Sequence, residues 1–396
     1  MVKIAYVGDF LNHGKSLQTH GTAIIILLSR IEEVNSVDIF CPNRNEKVED
    51  FILPNKAIIY KIYKLNSVIS LLKLLRVNWS KYESVIFNML PTSFGEGSLS
   101  NAIGLIIPVL LSIVFKYNNI KVIYHNSVLT NDIKKLGYKS SYDRLRSYFL
   151  YKLEIFLFKH VNTFVLLNSY KKKIDQRIGK NKVNILNSRW IEAVPTLYLN
   201  NSLERDSLQT KKNNITTVLM HGSWGPQKNI EMGLYAMKKA RERHGLFKTV
   251  ISGGINHHFT WYKGYFNQIL TENSAVVDRY IGTIEEKGIL PLFLSTDLII
   301  LPYNAPGGHS GVLELALFFE VPVIAINFPE YSEQSVSQPK VKLKSYIDEN
   351  DILDFLNSIN RNNKTIRVKE KIEQATNNIK TLLCAQNEED ILKTSL

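Results

Sequence analysis

Four places in the chain carry residue types that could do chemistry. The clearest begins at Thr296 and runs TDLIILPYNAPGGHSGVLELALFFEVPVIAINFPE. An apolar run ends at Pro302, the turn Gly307-Gly308-His309-Ser310-Gly311 follows, and a helical stretch then leads to a second apolar run. A glycine-rich turn between strand and helix points backbone N–H groups at one spot, and the helix dipole adds about half a positive charge there. Such a turn suits a phosphate; the same glycines would also serve a plain tight turn. Lys228, at the start of a helical stretch, offers an ammonium group to an anion or to water. His125 closes the apolar run KVIY at the carboxyl end of a strand, where ligands of α/β sheets gather, and is either catalytic or structural. The fourth place is 134–159, KKLGYKSSYDRLRSYFLYKLEIFLFK, in which Tyr142, Leu145, Phe149, Leu153 and Phe156 recur at helical spacing among Lys139, Arg144, Arg146 and Lys152. One helical face of this kind either packs on a core with a solvated side or rests on an anionic membrane leaflet, near a lipid-linked acceptor.

Other chemistries are excluded by spacing. Gly8–Ser16 reads GDFLNHGKS, with five residues before the Gly-Lys-Ser where a Walker A loop has four, so a P-loop is not expected. No GxGxxG follows any strand, which argues against a dinucleotide dehydrogenase. No DxD and no histidine cluster calls for a metal ion, and no cofactor is expected. The two cysteines, Cys41 and Cys384, lie far apart without a CxxC, which leaves neither a disulfide scaffold nor a cysteine-rich zinc site and fits a reducing compartment.

These residues need elements to hold them. At 396 residues the chain is long enough for two domains, and 45% hydrophobic with 21% charged residues is a globular composition. Forty-nine lysines and arginines against 36 acidic residues give +13, which points to an anionic partner: nucleic acid, acidic membrane or a phosphorylated small molecule. No nucleic-acid module is recognisable, so nucleic acid is not expected. The start, MVKIAYVGDF, reads as a strand and not a signal peptide. The apolar stretch from Asn101 to Phe115 is too short to span a bilayer and contains Pro108, so it reads as a buried helix. Strands are expected at Lys3–Val7, Val37–Cys41, Ser84–Asn88, Lys121–Tyr124, Thr163–Leu167 and Lys182–Leu186, with helical stretches between several of them. A polar linker is expected at Asn200–Asn214. Beyond it strands at Thr217–His221, Lys248–Ser252, Val276–Tyr280, Asp297–Pro302 and Val321–Ile326 alternate with helices at Ile230–Arg243, Ile289–Ser295 and Gly311–Phe319, and the tail from Glu349 reads helical. Alternation of this kind predicts parallel sheets covered on both faces.

The carboxyl half resembles the donor-binding region of the family 4 (group 1) glycosyltransferases, enzymes of the GT-B fold. Asp297, Pro302, Ser310-Gly311-Val312-Leu313, Ala316 and Pro322-Val323-Ile324 fit that pattern in order. VLMHGSWGPQKNIEMGLYAM, from Val218, is similar to the first strand and turn of the family's carboxyl domain: Gly222, Lys228 and Asn229 match, and Ser223 stands where arginine is usual. Ile251-Ser252-Gly253-Gly254 looks like the next strand and glycine turn, and Ile281-Gly282-Thr283-Ile284 like the segment that contacts the nucleotide base. In the amino half, His20-Gly21-Thr22 lies where the family has a glycine near the acceptor, and His125 resembles a histidine delivered to the cleft. The pattern also breaks. The family's two glutamates fall at Gly307 and Leu315; Glu314 is one residue early, about 100° around a helix, and Glu320 stands where glycine is usual.

The resemblance implies two Rossmann-like α/β domains with parallel sheets facing a cleft: residues 1–200 for the acceptor, 213–370 for a nucleotide-sugar, and a C-terminal helix at 371–396 packing back on the first. It implies transfer of a sugar to a hydroxyl of a glycan or lipid-linked glycan, with retention and without metal. His125 and Lys228 would be catalytic. Gly222, Ser223, Lys228, Gly282, Thr283, Ser310, Gly311, Val312 and Glu314 would bind the donor, and His20 and Gly21 the acceptor. The expected location is the cytoplasm, either free or, should the 134–159 segment rest on a leaflet, at the cytoplasmic membrane face. A non-catalytic protein of the same fold is the alternative, and the missing acidic pair would be its mark.

Overall fold

The structure is a computed structural model and describes residues 2–10, 16–43, 56–125 except 92 and 96, 141–199 except 181, 205–209, and 215–384 except 245, 246, 257, 258, 306, 307, 337 and 359–364. The chain forms two compact units. The first draws on Met1–Ile133, Lys139–Pro195 and Ile372–Leu396, the second chiefly on Thr196–Lys371.

Unit 1 is built on seven strands: β1 (Val2–Val7), β2 (Val34–Pro42), β3 (Ala57–Tyr63), β4 (Ser84–Met89), β5 (Ile120–Tyr124), β6 (Asn162–Val165) and β7 (Asn184–Ile185). They pair in parallel in the order β3-β2-β1-β4-β5-β6-β7. Every residue of β4 and β5 is buried, as parallel strands covered on both faces require. Helix Ser98–Ile113 lies on one face, and Gly104 within it gives room to the Phe94 ring, which would stand 2.0 Å from a Cβ there. Helix Ser141–His160 joins the same core through Leu150, Leu157 and Phe158.

Unit 2 adds β8 (Ser207–Gln209), β9 (Thr217–His221), β10 (Lys248–Ser252), β11 (Arg279–Ile281), β12 (Leu298–Leu301), β13 (Val323–Ile326), β14 (Val341–Lys344) and β15 (Thr365–Arg367). Six of these make a parallel sheet in the order β11-β10-β9-β12-β13-β14. The other two, β8 and β15, pair antiparallel by themselves. In both sheets the order reverses beside the first strand, between β1 and β4 and between β9 and β12, and crevices for ligands open at such reversals, outside the carboxyl ends of the strands.

Most expected elements are present within about three residues, while β3 and β14 have no counterpart among the expected strands. Three expectations differ more. The segment read as a linker contributes β8, because Leu208 is buried against the partner strand. The strand expected at Val276–Tyr280 begins only at Arg279, since Asn273 caps the preceding helix and turns the chain. The tail is not all helix: helix Glu349–Ser358 is followed by β15 and then helix Val368–Cys384. The last of these joins unit 1, where Trp190 Nε1 donates to Gln374 Oε1 at 2.6 Å and the buried Lys121 donates to the carbonyls of Leu382 and Leu383. Among the described residues no helix is long and apolar enough to cross a membrane.

Candidate functional site

In unit 2 the site residues stand at the carboxyl ends of β9, β10, β11 and β12. Chain direction there depends on glycine. Gly253 has φ +105°, and a Cβ on it would lie 1.8 Å from the Gly222 carbonyl oxygen. The turns after β9 and β10 therefore touch backbone to backbone. Trp224 locks them, its amide donating to Gly254 O at 2.8 Å and its indole N–H to Ser252 O at 3.0 Å. Thr283 reaches this point from the end of β11, with Oγ1 2.3 Å from where a Cβ on Gly254 would stand, while Gly282 has open space around its Cα. Ser223 is exposed beside Gly222.

Lys228 ends a 3₁₀ turn, Pro226–Lys228, just before helix Ile230–His244. Two contacts fasten this turn to the loop after β12: Asn304 N–H donates to Gln227 O at 2.9 Å, and Asn229 Nδ2 donates to Asn304 Oδ1 at 2.9 Å. The Lys228 ammonium consequently sits 3.5 Å from the centroid of the buried Tyr303 ring, and Tyr303 OH donates to His221 O at 3.3 Å. Burial brings the Lys228 ammonium down to about 7. His221, whose Nδ1 is 2.6 Å from Ser252 Oγ, is lowered to about 4, first by burial and then by the charge of Lys228, and is a neutral imidazole at pH 7.

Ser310 caps helix Gly311–Phe318, its Oγ accepting from Leu313 N–H at 3.2 Å. Gln334 clamps the same residue from helix Pro329–Gln334: Ser310 N–H donates to Gln334 Oε1 at 3.0 Å and Gln334 Nε2 donates to Ser310 O at 3.2 Å. The Ser310 amide is thus engaged, which narrows the amides a phosphate could use to Gly311 and Val312, first-turn groups with no intrahelical carbonyl to bond. Tyr331, on the Gln334 helix, packs its ring 6.2 Å from that of Tyr303 and so links this turn to Lys228. Glu314 is buried inside the helix–sheet layer, with Oε2 4.0 Å from Nε2 of the buried His309, whose pKa burial lowers to about 4. Gly307 lies outside the described residues. Glu320 has φ +56°, the left-handed conformation glycine takes without strain, and it is held there between Lys340 at 2.8 Å and Lys371 at 3.4 Å.

Unit 1 brings His20, Gly21 and His125 to one place, beside the reversal between β1 and β4. His125 Nε2 lies 2.7 Å from Asn88 Oδ1, which can only accept, so Nε2 carries the proton. Asn88 Nδ2 donates to Tyr6 OH at 3.0 Å, and Tyr6 OH donates to Asp9 O at 3.1 Å. The His20 ring stands edge-on to that of His125, with centroids 4.5 Å apart. Gly21 makes this possible: a Cβ there would fall 2.2 Å from Tyr6 OH and 2.4 Å from Asp9 O. Sequence reasoning missed Asn88, Tyr303 and Gln334. Tyr303 follows Pro302 at the strand end and could have been found there; no spacing rule joins Gln334 to Ser310. Among the described residues no group of His, Cys, Asp and Glu is arranged to hold a metal ion.

No protein-family model matches the sequence, and no curated protein matches it. Solved structures do match over essentially the whole chain. Sucrose-phosphate synthase from Thermosynechococcus elongatus superposes with a TM-score of 0.61 at 13% identity, covering 100% of this chain and 98% of its own. Anabaena HepE in complex with UDP and glucose gives 0.57 at 12% identity, with 100% of both chains covered. WaaG, a glycosyltransferase involved in lipopolysaccharide biosynthesis, gives 0.52 at 11% identity, covering 97% of this chain and 96% of its own. A UDP-GlcNAc 2-epimerase from Methanocaldococcus jannaschii is similar to the same degree, with 0.55 at 15% identity over 97% of this chain and 100% of its own. The chain therefore has the α/β fold of two parallel-sheet Rossmann-like units, the GT-B class, that it shares with these proteins.

Proposed function

We propose that the protein is a glycosyltransferase that takes a sugar from a nucleotide-sugar bound on unit 2 and gives it to a hydroxyl of a glycan or lipid-linked glycan bound on unit 1. The observation that carries this reading is Lys228, fixed over Tyr303 beside the reversal between β9 and β12. A cation there, with the Gly311 and Val312 amides, would stabilise the charge that develops on a leaving diphosphate. Positive charge that a bound diphosphate holds on Lys228 would serve the proposed reaction without a metal. Gly222 and Ser223 flank the phosphates in this reading, and Gly282 and Thr283 face the base. The buried Glu314 reaches a donor ribose only if its helix shifts. His125, oriented by Asn88 and backed by His20 and Gly21, faces the acceptor in this reading. Retention of configuration and a cytoplasmic setting belong to the same proposal.

Two observations favour rivals. The likeness to a UDP-GlcNAc 2-epimerase allows conversion of the sugar without transfer, and Leu315 in place of a glutamate allows a non-catalytic relative. One experiment separates all three. Calorimetric titration with a panel of nucleoside diphosphates is followed by incubation with the matching nucleotide-sugars, with and without saccharide acceptors. Transfer or slow acceptor-free hydrolysis supports the proposal. A 2-epimerised nucleotide-sugar formed without acceptor, or the absence of any diphosphate binding, overturns it.

A further inference from the structure

We propose that unit 1 carries a docking surface for an anionic lipid bilayer, formed by the outer stripe of helix Ser141–His160 and the end of helix Ser98–Ile113. This inference stands apart from the sugar-transfer reading. Helix Ser141–His160 turns Leu150, Leu157 and Phe158 into the core. On its outer side Leu145, Tyr148, Phe149 and Phe156 remain 70%, 59%, 51% and 42% exposed. Leu145, Phe149 and Phe156 are spaced four and seven residues apart, which makes one continuous stripe on a helix. Leu153, which the sequence pattern placed on this face, is partly buried against the core instead, and the Tyr142 side chain lies outside the description. Immediately after helix Ser98–Ile113, Val114 and Phe115 are 62% and 46% exposed. Ser112 Oγ donates to the His160 carbonyl at 3.2 Å, which ties the ends of the two helices together.

Charge selects the occupant. Segments 98–116 and 141–160 hold five lysines and arginines against two acidic residues, Asp143 and Glu154. Glu154 is turned inward, where its carboxylate accepts from Tyr124 OH at 2.8 Å. Lys152 lies within the stripe, its ammonium 5.4 Å from the Tyr148 ring centroid. A lysine stem running along apolar surface with its head at the rim is the arrangement that snorkels to a phosphate layer. Aromatic rings sit at headgroup depth, and basic side chains meet anionic lipid there. A protein partner of ordinary composition would need acidic groups placed to match; a bilayer offers them everywhere.

Flotation of the full chain with phosphatidylglycerol-rich and pure phosphatidylcholine vesicles tests the assignment. Binding to the anionic vesicles alone is expected, and it should weaken as salt shortens the Debye length below about 8 Å. Lys152→Glu should weaken it by about tenfold or more, and the double variant Leu145→Ser/Phe149→Ser should abolish it, each with thermal midpoint and nucleoside diphosphate binding unchanged. Both sites are exposed, so the variants are expected to fold; Lys152→Glu keeps the test open should the double variant not. Binding indifferent to lipid charge, salt and both variants overturns the proposal. So does absence of vesicle binding, whether or not sedimentation shows that the stripe mediates self-association.

Discussion

The half-buried Lys228 ammonium lies 3.5 Å from the Tyr303 ring centroid, and loss of solvent there lowers its pKa to about 7 in the free protein. A bound diphosphate would favour the charged form, so binding takes up a proton above that pH. Affinity for a nucleoside diphosphate is therefore expected to fall by up to tenfold per unit between about pH 7 and pH 9, where the phosphates themselves are already ionised. Calorimetry across that range checks the sign. Lys228→Arg should flatten the dependence, because guanidinium stays protonated. Lys228→Ala should weaken binding at pH 7 by about 1.5–3 kcal/mol; unchanged affinity in a folded variant removes Lys228 from the site. In unit 1 the corresponding residue is Asn88, which holds His125 on one side and Tyr6 on the other. Asn88→Ala strands buried polar groups and should cost about 1–3 kcal/mol of stability, read as an earlier denaturant midpoint with unchanged slope. An undisturbed midpoint would mean that His125 is positioned by something else.

Loops and turns at the strand ends decide whether these side chains meet. Two glycines in unit 2 make the point by contrast. At Gly253 the backbone is left-handed and Gly222 O occupies the place of a Cβ, so Gly253→Ala should cost about 1–3 kcal/mol or more and weaken nucleotide binding together with stability. At Gly282 the space is open, and Gly282→Ala should leave stability within about 0.5 kcal/mol. A drop in nucleotide affinity for Gly282→Ala alone then marks a ligand contact, whereas unchanged affinity takes Gly282 out of the site. Glu320 shows the element scale from the other side. A glutamate in a left-handed turn bears strain that glycine would not, and two lysines, Lys340 and Lys371, compensate it from neighbouring elements.

At the scale of the molecule, the chain returns to unit 1 through helix Val368–Cys384. Lys121, buried in the middle of a parallel sheet, is the fastening: its ammonium meets carbonyls of the last helical turn, where the dipole is negative. Burial lowers its pKa and the carbonyls offset that cost. Lys121→Met keeps the volume and loses the fastening, so the melting of unit 1 should move down by about 2–4 °C per kcal/mol lost, with unit 2 unaffected. Scanning calorimetry that shows both units moving together, or neither, would contradict this division of the chain.

By itself the sequence determined the fold class. Runs such as SVIFN and TDLIIL are continuous apolar stretches that only a sheet covered on both faces can bury, and their alternation with helices required parallel order. It also pointed to Ser310-Gly311 and His125, because strand ends followed by glycine or histidine are local signals, and to Lys228 only through the resemblance of its segment to a family pattern. The tertiary structure alone decided who accompanies them. Gln334 takes the Ser310 amide from 24 residues away in the chain, and Asn88 orients His125 across 37. Periodicity gave helix Ser141–His160 but not which face is buried: the stripe at Leu145 and Phe149 looks outward because the core beneath is already filled by Leu150, Leu157 and Phe158. Spacing along a chain fixes which residues share an element; which element fills the space beside them depends on contacts between distant segments, and those exist only once the sheet is assembled.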